Sequence, residues 1–89
     1  MARILLIDDD VDLARELQES LEKSGHCVTR LERAETGPDL LARQQLDIVL
    51  LDNKMPGMTG IDFLAALRER DLAVPVILMT GYATADTAI

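Results

Sequence analysis

Three short apolar runs constrain this 89-residue chain more than any other feature: Ile4-Leu5-Leu6-Ile7, Ile48-Val49-Leu50-Leu51 and Val76-Ile77-Leu78-Met79. An uninterrupted apolar run of strand length suits a strand buried on both faces, as in a parallel sheet. Helical patterns lie between the runs. Leu13, Leu17 and Leu21 recur every fourth residue and predict the core face of a first helix, which Gly25 would stop. A second, shorter helix is predicted from about Thr36 through Gln45, with Pro38 tolerated in its first turn. The surface around it, Arg33 to Arg43, reads as a solvated face. The third helix has Thr59 as its N-cap and Ile61, Leu64 and Ala65 on one face, widened by Phe63 and Leu67. His26 to Leu31 is mixed and partly polar, which suits an edge strand, and Ala83 to Ile89 reads as the start of a fourth helix. Strands and helices that alternate in this way predict a three-layer α/β fold around a parallel sheet.

Composition narrows the function classes. Sixteen acidic residues against nine basic ones give a net charge of −7, which argues against nucleic acid or an anionic membrane as a partner of this segment. One cysteine excludes an internal disulfide framework and a Cys-rich zinc site. No apolar run is long enough to span a bilayer, and the first one stops at Asp8-Asp9-Asp10, so no signal peptide is readable. The expectation is a soluble, cytoplasmic domain.

The acid is concentrated where an α/β sheet does its chemistry. Open sheets of this type place their sites beyond the carboxyl ends of the strands. Here the first, third and fourth strands end in Asp8-Asp9, Asp52 and Thr80. Carboxylates about 5 Å apart repel by roughly 3 kcal/mol per pair at an effective dielectric near 20, so such a cluster keeps a proton or holds a cation. All-oxygen ligands without His or Cys point to a hard divalent ion, Mg²⁺ before Ca²⁺. A carboxylate beside that ion can act as a nucleophile and form an aspartyl phosphate, and the Thr80 hydroxyl can bond the phosphoryl oxygens. The Pro56-Gly57 turn that follows Asp52 can aim a backbone carbonyl near Lys54 at the metal.

The set Ile7-Asp8-Asp9, Leu51-Asp52-x-x-Met55-Pro56-Gly57-Met58-x-Gly60 and Met79-Thr80-Gly81 resembles the receiver domain of two-component response regulators, in order and spacing along the whole chain. The resemblance implies a flavodoxin-like, doubly wound sheet of strand order 2-1-3-4-5. It implies that Asp52 is the phosphoacceptor and that Asp8, Asp9, Asp52 and the Lys54 carbonyl hold Mg²⁺. Thr80 would be the switch hydroxyl. It further implies a partner histidine kinase and an output, with transcription and DNA binding reached through a separate output domain. A receiver is a signalling module that catalyses only its own phosphorylation and dephosphorylation. Asp10 falls outside the acidic pair and starts the first helix.

Two departures stand out. Asn53 occupies a position where the family usually has an aliphatic residue, which suggests altered phosphorylation or dephosphorylation rates. The family's fifth strand, ending in Lys, and its fifth helix have no counterpart among residues 1–89, whose only lysines are Lys23 and Lys54. The expectation is the N-terminal portion of a receiver, from the first strand to the start of the fourth helix. Its exposed sheet edge would favour a homodimer or a segment-swapped assembly. Three other readings share some residues. Asp8-x-Asp10 mimics the acid pair of a haloacid-dehalogenase-type phosphatase, although Asp52-x-x-Met55-Pro56-Gly57 then goes unexplained. Asp8, Asp10, Asp12 and Glu19 fall at EF-hand spacing, but Leu13 stands where that loop needs Gly. A pseudo-receiver that binds proteins without phosphorylation is the third. His26, Cys27 and Tyr82 read as structural.

Overall fold

The computed structural model describes residues 1–53 and 56–79. Along the chain run β1 (Arg3–Ile7), α1 (Val11–Lys23), β2 (Cys27–Leu31), a single 3-10 turn (Ala34–Thr36), α2 (Gly37–Arg43), β3 (Ile48–Asp52), α3 (Gly60–Glu69) and β4 (Val76–Met79). The fourth helix expected at 83–89 lies outside the described residues, as do Lys54, Thr80 and Tyr82. The four strands form one parallel sheet in the order β2-β1-β3-β4, the expected doubly wound arrangement for these strands.

Alternation along β1 divides the core between the two faces of the sheet. Leu5 and Ile7 join Val49 and Leu51 of β3 in one buried cluster with Ala34, Leu40, Leu41, Phe63 and Leu67. This is the layer formed by α2 and α3. Ile4 and Leu6 are also buried and point the other way, toward the α1 side. The central strands are thus apolar on both faces, which explains their continuous apolar runs.

Three surface expectations need correction. In α1 the buried residue is Ala14, while Leu17 and Leu21 are half-buried and Leu13 is 43% exposed. A methyl side chain lets the helix backbone approach the sheet, and the larger leucines flank the contact. In α3 the buried face is Gly60, Phe63 and Leu67, whereas Ile61 is 78% exposed and Leu64 and Ala65 face solvent. The cause is Gly60: a Cβ there would come within 2.8 Å of Leu78 Cδ2, so the helix start lies directly on β4. The stretch from Arg33 to Arg43 is not a solvated face, because Ala34, Gly37, Pro38, Leu40 and Leu41 are buried. Gly37 sits where a Cβ would meet Phe63 Cε1 at 2.6 Å, so α2 is pressed against the one aromatic ring among the described residues.

Helix starts follow local rules. The Asp10 carboxylate accepts from the Leu13 N–H at 3.1 Å and caps α1, with Asp12 in the first turn. Thr59 caps α3 in a reciprocal box: Thr59 Oγ1 accepts from the Asp62 N–H, and Asp62 Oδ2 accepts from the Thr59 N–H. Gly57 has φ of +90°, which is the conformational freedom expected of the Pro-Gly turn. No helix among the described residues is long and apolar enough to cross a membrane.

Candidate functional site

The parallel register builds the site. Ile7 of β1 lies opposite Leu51 of β3, so the next residue of each strand, Asp8 and Asp52, emerges at the same rim. Asp9 follows on the same side. One carboxylate oxygen from each of Asp8, Asp9 and Asp52 lies within 4.8 Å of the others. Two strand-end bonds hold the rim: the Asp8 N–H donates to the Leu31 carbonyl of β2 at 3.0 Å, and the Asn53 N–H donates to the Met79 carbonyl of β4 at 2.9 Å.

The three acids have different surroundings. Asp8 is buried, with 3% of its surface exposed; Asp52 is half-buried and Asp9 is exposed. Burial holds the Asp8 carboxyl above the usual carboxylate range, and the Asp52 charge, a hydrogen bond with Asp52 and the Asp9 charge push it the same way. The Asp10 N–H, which donates to Asp8 Oδ1 at 2.9 Å, works against that rise. A like-charged cluster with one member out of water is a poor resting arrangement for three anions and a good one for a hard cation. All three donors are carboxylate oxygens, the set that suits Mg²⁺ or Ca²⁺. The residues present therefore fit a divalent ion.

The structure brings Asp8, Asp9 and Asp52 together as expected. The expected contributions of Lys54 and Thr80 lie outside the described residues. Asp10 is occupied as a helix cap, and Asp12 already belongs to α1. Neither the phosphatase pair Asp8-x-Asp10 nor an EF-hand loop through Asp12 is formed. His26 is structural, accepting from the Ala2 N–H at Nδ1. Cys27 is exposed on the edge strand β2.

A second feature escaped the sequence reading. A cavity of about 260 Å³ adjoins the cluster, lined by Asp9, Glu32, Arg33, Glu35, Pro56 and Gly57. Its signal was available: β2 is the neighbour of β1, so the residues just after Leu31 belong to the same rim. A larger cavity of about 330 Å³ lies at the far end of α3, around Leu67, Leu72 and Val74, away from the acids.

Comparison with known proteins agrees with this geometry. The profile of the response regulator receiver domain matches residues 4–89. The response regulator protein FleR of Pseudomonas aeruginosa is 38% identical over 88 residues, covering 99% of this chain and 19% of FleR. The response regulator receiver protein CpdR of Brucella abortus is 35% identical over 83 residues, covering 93% of this chain and 69% of CpdR. Among solved structures, the response regulator TrrA of Thermotoga maritima, in complex with Mg²⁺-BeF, superposes with a TM-score of 0.82. It is 30% identical, and the match covers 93% of this chain and 72% of TrrA. The chain thus spans about a fifth of FleR and over two-thirds of CpdR.

Proposed function

The chain belongs to the response regulator receiver domain family, and on that premise we propose that Asp52 is its phosphoacceptor. The receiver function in phosphorelay signalling is chemistry on the domain's own aspartate, not turnover of a substrate. The observation that carries the assignment is the three-carboxylate cluster, in which Asp52 is the half-buried member at a strand end. Asp9 is exposed and Asp8 is buried with one oxygen already engaged by the Asp10 N–H. Asp52 combines a fixed backbone with partial access, which suits an in-line attack on phosphorus.

Asp8, Asp9 and Asp52 would hold Mg²⁺, together with the Lys54 carbonyl assigned from sequence. When bound, the ion would neutralise charge on the transferring phosphoryl group. The chain's own contribution is positional. The Asp10 N–H orients the Asp8 carboxylate, and the β1–β3 register keeps Asp8 and Asp52 side by side. A carboxylate oxygen of Asp52 forms the new P–O bond as the bond to the donor's leaving group breaks. The Thr80 hydroxyl, one residue beyond β4, would close on the phosphoryl oxygens and shift an existing conformational equilibrium. A histidine kinase is the proposed physiological donor, and an effector domain controlling transcription the proposed output.

Intact mass measured before and after incubation with Mg²⁺ and acetyl phosphate tests this reading. The expected result is one added phosphoryl group, absent with EDTA and absent in Asp52→Ala. An adduct that survives Asp52→Ala, or no adduct at all, would overturn the assignment.

A further inference from the structure

We infer that Arg33 is a specificity-determining residue that, among small-molecule phosphodonors, favours acyl phosphates over phosphoramidate, by pairing with the carboxylate that leaves. The inference rests on Asp52 being the phosphoacceptor.

The argument begins with the geometry of transfer. Attacking and leaving atoms lie roughly in line across phosphorus, so the donor's leaving group must project away from Asp52. Asp9 lines the 260 Å³ cavity, whereas Asp52 is not among its lining residues. A phosphoryl group held at the acidic cluster by Asp52 therefore borders that cavity on its Asp9 side. The cavity suits a small leaving group.

Among the described residues that line this space, Arg33 is the one cation; Asp9, Glu32 and Glu35 are anionic. Among those described residues, a departing anion meets favourable charge only at the guanidinium. That group is available, because Arg33 is 78% exposed and its contact with Glu35 is a loose ion pair at 3.8 Å. Exposed pairs of this kind are worth little and exchange partners readily. Glu35 itself sits over the turn, with Oε2 3.4 Å from where a Gly57 Cβ would be, so it borders the cavity without filling it.

The chemistry then distinguishes donors. With acetyl phosphate, an Asp52 oxygen forms the P–O bond while the P–O bond to the acetyl group breaks. Acetate departs with that electron pair, and no proton has to move. The charge that grows on acetate is a carboxylate, whose two oxygens match the planar guanidinium fork. With phosphoramidate the breaking bond is P–N and the leaving group is neutral ammonia. Arg33 has no developing charge to meet there.

The test compares rates of Asp52 phosphorylation by acetyl phosphate and by phosphoramidate, in the full chain with Mg²⁺, read by intact mass. In Arg33→Ala the acetyl phosphate to phosphoramidate rate ratio is expected to fall about 3- to 10-fold, the scale of one exposed charge-assisted contact. Arg33→Lys should recover part of the ratio, and Glu35→Gln, which releases the guanidinium, should raise it. Equal losses with both donors, or an unchanged ratio, would overturn the inference and leave the Asp52 assignment standing. Failure of the unaltered chain to take a phosphoryl group on Asp52 from either donor would overturn both.

Discussion

The backbone N–H of Asp10 donates to Asp8 Oδ1 at 2.9 Å, so the residue that caps α1 also orients the buried carboxylate of the site. Asp10 thereby serves two structures with different atoms. Its side chain holds the helix start, and its amide holds Asp8. A strand end, a helix start and an acidic cluster are coupled within three residues, and four expected outcomes follow from this arrangement and its surroundings.

The first concerns pH. Burial raises the Asp8 carboxyl above its ordinary range, with Asp52 and Asp9 adding to the rise. The folded chain therefore holds the Asp8 proton more tightly than the unfolded chain. The stability this contributes is fully present below the unfolded value of about 3.9, and is lost as pH rises through the higher folded value. Metal-free Asp8→Asn escapes that loss, and its Oδ1 still accepts from Asp10. In EDTA near neutral pH it should melt above the unaltered chain. The gap should close toward about pH 4. Thermal melts across that range check it.

Divalent metal should reverse the order. An ion bound only by the folded state stabilises it by about 2.7 kcal/mol at a hundred times its dissociation constant. The Tm of the unaltered chain should climb with Mg²⁺ concentration, and Asp9→Ala should lose most of that climb. Melts in a Mg²⁺ titration read both. A Tm indifferent to Mg²⁺ in the unaltered chain would sink the proposed ligand set.

Packing of α2 on the core gives a third expectation. Gly37 has an ordinary helical φ of −63°, but a Cβ there would meet Phe63 Cε1 at 2.6 Å and Ile7 Cδ1 at 3.2 Å. Gly37→Ala should cost about 1–3 kcal/mol through overpacking. Adding Phe63→Leu to it should cost less than Phe63→Leu costs alone, because the ring is the obstacle. Gly25 is the contrast: its φ is +94° and nothing lies within 4 Å of a Cβ. Gly25→Ala should cost about 1–2 kcal/mol from backbone strain alone, with no rescue by Phe63→Leu. Denaturant unfolding of the single and double variants separates the two causes.

The cap of α3 gives a fourth. Thr59→Ala removes the acceptor for the Asp62 N–H and should cost about 0.5–2 kcal/mol, while Thr59→Ser should be close to neutral. Equilibrium unfolding of the two variants is the measurement.

Much of the site was legible in sequence because it depends on chain-local facts. Asp8 and Asp52 each end an apolar run, and a parallel sheet sends both ends to one rim. Thr59 was legible as a cap from its place before an apolar pattern, although its partner Asp62 was missed. What misled was helix rotation. The leucines at 13, 17 and 21 form a regular stripe, yet the fully buried residue of the helix is Ala14, with Leu17 and Leu21 half-buried beside it. Ile61 and Leu64 are more apolar than Gly60, yet Gly60 faces the sheet. Periodicity locates a face by hydrophobicity alone, whereas packing rewards the residue that lets two backbones approach.

The sequence by itself determined the alternation of strands and helices, the parallel sheet and the carboxylates at its rim. Each of these follows from short-range patterning and from the direction of the strands. Tertiary structure alone decided that Asp8 is buried while Asp9 is open, since that depends on which neighbours cover each carboxylate. It also decided that Arg33 and Glu35, just past the end of β2, share a cavity with Asp9. Both lie more than twenty positions from Asp9 in the chain. They meet only because β2 pairs with β1 in register, from Arg3 beside Cys27 to Ile7 beside Leu31.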